Sequence, residues 1–280
     1  MELIDTHQHL ILRDRIGYAW ADSIPPLAMR DFTRDEYAGL AAGVTATVFM
    51  ETGVDDADYQ TEARLVAGMV GAAVGGIPML GQIASIRPEE DAGFDDWLDE
   101  GATLGVVGYR RILHESGDEL SQGATFRRNL RKIGAKGLPF DLCFLARQLP
   151  VAAELLAACP DQQFVLDHCG VPDIKGGAFG PWAEGMRRLA AAPNLMVKLS
   201  GITAYCAPGQ ATLAAVTPYV DHVLHCFGPA RMLWGGDWPV VNLGAGLPDW
   251  VNMTHALLSG LGAGEQAAIR SGNARKVYGL

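Results

Sequence analysis

Short apolar runs alternate with helix-like segments along the whole sequence, and this repeat restricts the fold more than any other feature. Such runs are typical of parallel strands whose two faces are both buried. After an opening segment that ends at Ile4, the predicted strands are Val44–Met50, Ile77–Ile83, Leu104–Tyr109, Leu138–Phe144, Phe164–Asp167, Leu195–Leu199 and Met232–Trp234. Eight strands alternating with helices in 280 residues predict a closed (β/α)8 TIM barrel. A doubly wound open sheet is the alternative, but no glycine-rich phosphate loop follows the first strand.

The segments between the runs carry helix signals. Thr33-Arg34-Asp35-Glu36 has the form of a capping box and predicts a helix that ends at Gly43. The other predicted helices are Thr61–Ala73, Asp95–Glu100, Phe126–Lys136, Val151–Ala158, Trp182–Ala191, Leu213–Phe227, Asp249–Ser259 and Gly264–Ile269. No repeat, low-complexity tract or polar linker divides the sequence, so we expect residues 1–280 to form one domain.

Composition narrows the class of protein. With 49% hydrophobic and 19% charged residues and no apolar run long enough to span a bilayer, the chain is predicted to be compact and soluble. A net charge of −10 disfavours nucleic-acid or anionic-membrane partners. Five cysteines without paired spacing indicate reduced thiols, and no basic region followed by an apolar stretch suggests export, so we expect a cytoplasmic location.

Polar residues gather where the predicted strands end, which is where the catalytic groups of a barrel of this type project. These residues are His7, His9, Glu51, Arg110, Arg111, Asp167, His168, Lys198 and Asp237. On an extended strand, His7 and His9 point to the same side and can converge on one point, as the ligands of a zinc ion do. Taken alone, the same pair is also compatible with two ordinary polar loop residues.

His168 and Asp237 are the predicted catalytic residues. His168 closes a buried strand immediately before Gly170 and Pro172, so its ring is expected at the rim of the barrel rather than in a structural hydrogen bond. Asp237 follows two glycines and precedes Trp238-Pro239, and from the last strand its carboxylate could take a proton from a water molecule. A helix-capping role is the alternative for Asp237.

The remaining candidates have open alternatives. Glu51 is either a further metal ligand or an ordinary acid at a strand end. Lys198 is either a substrate-binding residue or the partner of a barrel carboxylate. The other predicted substrate-binding residues are Arg110, Arg111, His114, Tyr18 and Trp20, with one arginine expected in a structural pair. Helical periodicity predicts that His222, His225 and His255 face solvent, and the cysteines are interpreted as packing residues.

Several stretches together resemble the amidohydrolase superfamily, and within it the sugar-acid lactone hydrolases similar to L-fuconolactonase and L-rhamnonolactonase. A more distant similarity is to 2-pyrone-4,6-dicarboxylate lactonase. The matching stretches are Ile4–His9, Phe164–Asp173, Val197–Gly201, Trp234–Val240 and Gly272–Ala274, which span almost the whole chain in order. Many superfamily members carry a bridging lysine or glutamate on strand four and a histidine on strand five. Here strand five reads Phe140-Asp141-Leu142-Cys143-Phe144.

The resemblance implies a hydrolase of carboxylic esters that opens a sugar-acid lactone. It places His7, His9, His168 and Asp237 in the catalytic positions, with Glu51, Arg110, Arg111 and His114 where some relatives contact metal or substrate. It implies one divalent metal ion, with zinc as the expected ion, rather than a two-metal centre; metal-independent catalysis is the alternative. Monomers or small homo-oligomers are expected. Rival functions are decarboxylation of an unsaturated acid, which the missing strand-five histidine disfavours, and non-catalytic binding of a sugar acid.

Overall fold

A computed structural model describes residues 2–280 and contains the predicted barrel. Its eight parallel strands, numbered here in chain order, are β1 (Ile4–Gln8), β2 (Ala46–Met50), β3 (Ile77–Ser85), β4 (Val106–Ile112), β5 (Phe140–Cys143), β6 (Phe164–Leu166), β7 (Leu195–Leu199) and β8 (Met232–Trp234). Each strand pairs in parallel with the next one along the chain. All eight predicted strands are therefore confirmed.

The helices surround the strands. Their bounds are Ala19–Asp22, Arg34–Leu40, Tyr59–Ala67, Phe94–Gly101, Ala124–Ala135, Leu149–Ala158, Phe179–Leu189, Leu213–Phe227, Leu247–Leu258, Ala263–Ala267 and Asn273–Tyr278. The Thr33 side chain accepts from the Glu36 backbone N–H at 3.4 Å, as the capping box predicts. Within residues 2–280, none of these helices combines the length and apolar character that crossing a membrane requires.

Backbone hydrogen bonds beyond the strand ends join β8 to β1 and close the barrel. The Asp237 N–H donates to the His7 carbonyl at 2.8 Å, and the His9 N–H donates to the Trp238 carbonyl at 2.9 Å. The Thr6 hydroxyl adds a bond to the Trp234 carbonyl at 2.6 Å. The two ends of the strand array thus meet where the predicted catalytic residues lie, so closing the barrel also assembles the site.

A bulge in β1 directs His7 into the barrel. Ile4 packs in the barrel interior, so strict alternation would point His7 outward. The register with β2 shifts by one residue between Asp5 and Gln8, and such a shift moves the following side chains to the other face. His7 consequently lies inside the barrel, fully buried, whereas Asp5 accepts from the Tyr37 hydroxyl on the surrounding helix layer at 2.6 Å.

Apolar side chains from most of the strands, among them Ile4, Val48, Ile83, Val165 and Leu233, fill the lower barrel interior. The last helix packs against them through Ala274 and Tyr278 and closes the end of the barrel opposite the site. The sequence analysis predicts no helix at these residues, which form a helix of six residues in the structure. The lower interior is thus filled, and the cavity that bears on the candidate site lies at the carboxyl ends of the strands.

Three local predictions are wrong. The helix predicted to reach Ala73 ends at Ala67, and Ala73–Val74 instead pairs antiparallel with the start of β3 because Gly75 and Gly76, both at positive φ, turn the chain back. Strand β6 ends before Asp167, where the chain enters a tight turn. His222 is half-buried rather than solvent-facing, since its Nε2 contacts the Ala183 carbonyl at 2.9 Å.

Candidate active site

Asp237 lies at the centre of a group of three histidines at the mouth of the barrel. Its Oδ1 is 3.4 Å from His9 Nε2 and 3.7 Å from His7 Nε2, and its Oδ2 is 4.0 Å from His168 Nδ1. All four side chains are at least nine-tenths buried. The structure therefore brings together four residues predicted from three separate sequence motifs.

Two of these residues have backbone conformations that favour glycine. Asp237 has φ of 57° and His168 has φ of 53°, both in the left-handed region, which costs a non-glycine residue about 1–3 kcal/mol. Gly201 lies between them at φ of 61°, and a Cβ there would be 2.7 Å from Asp237 Oδ2. The fold thus keeps two strained residues and a close backbone approach where the polar groups converge.

Hydrogen bonds determine which ring nitrogen of each histidine carries a proton. His9 Nδ1 is 3.0 Å from the Met50 carbonyl, which can only accept, so its Nε2 is left with a lone pair facing Asp237. Arg110 Nη1, which can only donate, is 3.3 Å from His7 Nε2 and leaves the lone pair of His7 on that nitrogen. His7 Nδ1 is 3.3 Å from the Asp167 carboxylate, which accepts its proton, and 3.3 Å from Lys198 Nζ. His168 Nδ1 is instead 3.0 Å from the Ser200 hydroxyl, which can donate to it and leave the proton on Nε2.

A metal ion fits this group of donors. His7, His168 and Asp237 each offer one ligand atom, and these atoms all lie within 4.8 Å of one another. Asp237 Oδ2 is buried and has no hydrogen-bond partner within residues 2–280. Imidazole and carboxylate ligands suit zinc, and a carboxylate behind a ligating histidine, as Asp167 is behind His7, is the usual outer support of such sites.

A second group, formed by Cys143, Asp167 and His168, has the same spacing but fits an ion less well. Asp167 is already compensated by Lys198 at 3.0 Å and Arg110 at 3.3 Å, so an added cation would face two positive charges. Burial also raises the pKa of the Cys143 thiol, which disfavours the thiolate that a metal requires. Of these two groups within residues 2–280, the one that contains Asp237 is therefore the more favourable for an ion.

A buried network of charges lies beneath the site. Lys198 Nζ donates to Asp141 at 2.5 Å, and Asp141 also accepts from the Tyr278 hydroxyl at 2.9 Å. Burial raises the pKa of Asp141 to about 7 although Lys198 opposes the shift. Burial also acts to raise the pKa of Asp167, but the cations around it, Lys198 above all, hold that pKa well below its usual range. Asp167 therefore remains an ionised acceptor for His7.

Two of the three histidines, His7 and His168, are neutral in this environment. Burial lowers the pKa of His7 well below its usual value, with Lys198 and His168 adding to the shift and Asp167 opposing it. Burial likewise lowers the pKa of His168. Neutral imidazoles are the form that binds metal ions or donates a single hydrogen bond to a carbonyl oxygen.

A cavity of about 250 Å³ opens directly above Asp237. Six of the residues predicted for the site line it, namely His9, Trp20, Arg110, His114, His168 and Asp237. Cys143, which the sequence analysis interpreted as a packing residue, also lines this cavity. Its position at the end of β5 was the signal that could have identified it. The cavity thus offers a partly polar space for a small molecule next to Asp237 and His168.

Four predicted site residues have other positions. Glu51 lies outside the donor group of His7, His168 and Asp237, and its carboxylate accepts from Arg110 Nε at 2.6 Å and from the Gly53 N–H at 2.9 Å. Lys198 is fully buried in its carboxylate network, so it cannot contact substrate. The Tyr18 hydroxyl accepts from the Leu12 N–H, away from the cavity. Arg111 pairs with Glu89 at 2.8 Å and lines a separate, neighbouring cavity.

The buried Glu62, which interacts with the Glu51 charge, makes the stability of the folded protein depend on pH. Burial, together with the Glu51 charge, raises the pKa of Glu62 to about 8. Between about pH 5 and 8 the unfolded chain has lost this proton and the folded chain has kept it, so the free energy of unfolding falls as pH rises. We expect Glu62→Gln, which mimics the protonated form, to become more stable relative to wild type by up to about 1.4 kcal/mol per pH unit in this window.

Urea denaturation of both proteins from pH 5 to 9 measures this difference. Exposed Glu265→Gln serves as the control and is expected to differ from wild type by less than about 0.5 kcal/mol at every pH. A stability difference between Glu62→Gln and wild type that does not change with pH would show that Glu62 is ionised in the folded protein.

Comparisons with known proteins bear on the family and the fold of this chain. The model of the amidohydrolase family matches residues 4–280. L-fucono-1,5-lactonase of Burkholderia ambifaria is 30% identical over 267 residues, covering 88% of this chain and 83% of that protein. A zinc-bound amidohydrolase structure from Burkholderia multivorans superimposes with a TM-score of 0.88 at 24% identity, with full coverage of both chains.

A second solved structure shares the same fold. A putative 2-pyrone-4,6-dicarboxylic acid hydrolase from Pseudomonas putida is 24% identical with a TM-score of 0.75, covering 99% of this chain and 97% of that one. The family model covers nearly the whole chain, and the residues it spans include all four members of the polar cluster. The chain therefore belongs to the amidohydrolase family.

Proposed function

We propose that this protein hydrolyses the lactone of a sugar acid to the free hydroxy acid, with Asp237 as the general base. The observation that carries the proposal is the buried Asp237 Oδ2, which has no hydrogen-bond partner within residues 2–280 and lies among three histidines at the floor of a small cavity. Similarity to an L-fucono-1,5-lactonase supports a cyclic sugar ester as the substrate class.

The reaction follows from the protonation states. The His168 Nε2–H donates to the lactone carbonyl oxygen and stabilises the negative charge that develops there. Asp237 Oδ2 accepts a proton from a water molecule, whose oxygen forms a bond to the carbonyl carbon. The bond from that carbon to the ring oxygen then breaks, and Asp237 returns the proton to the leaving alkoxide. The product is an open-chain hydroxy acid, which releases its acidic proton to solvent.

The ligand set that we propose for a divalent ion is His7, His9 and Asp237. His168 is close enough to His7 and Asp237 to be a further donor, but the proposal assigns it to the substrate. The Nε2 lone pairs of His7 and His9 face Asp237, whereas Ser200 leaves His168 with a proton to donate to substrate. When bound, such an ion supplies Lewis-acid polarisation of the carbonyl or of the attacking water. Arg110 Nη1 also lies 3.3 Å from His7 Nε2, so a guanidinium hydrogen bond and an ion compete for that lone pair.

A panel of aldonolactones tests the activity. Because each turnover releases acid, a pH indicator should report hydrolysis of at least one five- or six-membered lactone by the wild-type protein. The matched control is the same protein with His168→Ala, in which the proposed carbonyl donor is missing. A panel without turnover, combined with tight binding of one of these ligands, would contradict hydrolysis and favour a sugar-acid binder.

Metal analysis tests the ligand set. We expect one divalent ion per chain in the purified protein, loss of most lactone hydrolysis after chelation, and recovery when zinc is added back. In His9→Ala the bound ion should fall well below one per chain, whereas His225→Ala, on the exposed face of a surface helix, should retain it. Unchanged hydrolysis after complete removal of metal would show that the histidines act without an ion.

A further inference from the structure

We propose that Cys143 is a positioning residue that fixes the tautomer of His114, so that His114 Nε2–H donates to an oxygen of the substrate. The identity of the ligand as a sugar lactone rests on the proposed function, but the tautomer does not. The two residues lie at the ends of adjacent strands, with Cys143 closing β5 and His114 two residues beyond β4. Cys143 Sγ is 3.1 Å from His114 Nδ1.

Both side chains line the cavity above Asp237. Cys143 is nearly fully buried, and its sulfur lies within 4.8 Å of ligand atoms of Asp167 and His168. The His114 side chain is 31% exposed, so its ring spans from the buried thiol to the open cavity. The buried Cys143 thiol thus contacts an imidazole, that of His114, which a ligand in the cavity can reach.

Both members of the pair are neutral. Burial, reinforced by the Arg110 charge, lowers the pKa of His114 to about 4. Burial raises the pKa of the Cys143 thiol. The pair therefore holds one proton on sulfur and one on the imidazole. An imidazole nitrogen is a good acceptor and a thiol sulfur a weak one, so the S–H donates to Nδ1 and the ring proton resides on Nε2.

The Nε2–H of His114 is available to a ligand. Its nearest acidic neighbour is the Glu115 carboxylate at 3.6 Å, beyond a normal hydrogen bond and on a side chain that is 68% exposed. A second donor of the same cavity, Trp20 Nε1, is buried and has no partner within residues 2–280. The His114 donor at the cavity suits a ligand that brings oxygen acceptors, as a hydroxylated lactone ring does.

Nitrogen NMR of 15N-histidine-labelled protein tests the tautomer without substrate. The His114 signals, assigned by their loss in His114→Gln, should show a protonated Nε2 and an unprotonated Nδ1 near neutral pH. In Cys143→Ala the same ring should give shifts averaged between the two tautomers. A protonated Nδ1 in wild type, or an unchanged spectrum in Cys143→Ala, would overturn the proposal.

Kinetics on a hydrolysed lactone test the consequence. Loss of one oriented hydrogen bond in Cys143→Ala should raise KM about three- to tenfold while kcat changes less than about twofold. Cys143→Ser, which keeps a donor, should restore the wild-type KM. Cys159→Ala, a buried cysteine outside the cavity, is the control for loss of a thiol. Equal KM values for Cys143→Ala and wild type, or equal defects in Cys143→Ala and Cys143→Ser, would contradict the positioning role.

The two experiments separate two possible failures. If wild type hydrolysed no lactone, the proposed function would be wrong, while the NMR result would still decide the Cys143–His114 pair.

Discussion

Replacing Asp237 with Asn is expected to lower kcat for lactone hydrolysis by about 10² to 10⁴-fold. The amide is nearly the same size, but it cannot accept the proton of the attacking water or return a proton to the leaving alkoxide. Because the carboxylate also faces His7 and His9, the variant should bind a divalent ion more weakly. Steady-state kinetics and metal analysis on the same preparation measure both effects.

Asp249→Asn provides the matched control, since Asp249 is exposed on the helix Leu247–Leu258. It should keep wild-type kcat and metal content. Circular dichroism should show that Asp237→Asn is folded. Near-normal hydrolysis by a folded Asp237→Asn protein would exclude Asp237 as the base.

Replacing Lys198 with Met is expected to lower the free energy of unfolding by about 3–5 kcal/mol. Lys198, Asp141 and Asp167 are all fully buried, and the lysine lies 2.5 Å and 3.0 Å from the two carboxylates. Without the lysine, both buried carboxylates lose a cationic partner. The Tyr278 hydroxyl, which remains on Asp141, and the Arg110 guanidinium, which remains near Asp167, offset only part of their desolvation. Urea denaturation near neutral pH measures the loss.

Two further variants test whether the loss of stability comes from the buried charges. Lys136→Met removes an exposed lysine that pairs with Asp99 on the surface, and it should cost less than about 1 kcal/mol. The double variant Lys198→Met/Asp141→Asn also removes one of the two carboxylates that face the lysine and should recover part of the stability. A loss below about 1 kcal/mol in Lys198→Met would show that the buried network does not depend on the lysine.

The site residues at the ends of strands were predictable from the sequence alone. The apolar runs identify parallel strands, and residues directly after them must lie at the mouth of a barrel. His168 and Asp237 were located in this way. Lys198 is on β7 itself, so periodicity could indicate that it faces inward or outward but not which carboxylates surround it. Its burial against Asp141 and Asp167 therefore required coordinates.

Neighbouring residues with the same chemistry show the limit of the sequence pattern. Arg110 and Arg111 are adjacent on β4, so their side chains point to opposite faces, and only Arg110 contacts the catalytic centre. Cys143 looks like a packing residue in the sequence, because its partner His114 is 29 positions away and follows another strand. Contacts between distant segments leave no local signal in a single sequence.

The sequence by itself determined the barrel and the four polar positions of the site, because hydrophobic periodicity and strand order act locally along the chain. Only the tertiary structure decided how those positions work. The bulge between Asp5 and Gln8 turns His7 into the barrel, and the hydrogen bonds from distant strands set the protonated nitrogen of each histidine. Both effects depend on groups far apart in sequence that come within bonding distance only when the barrel closes.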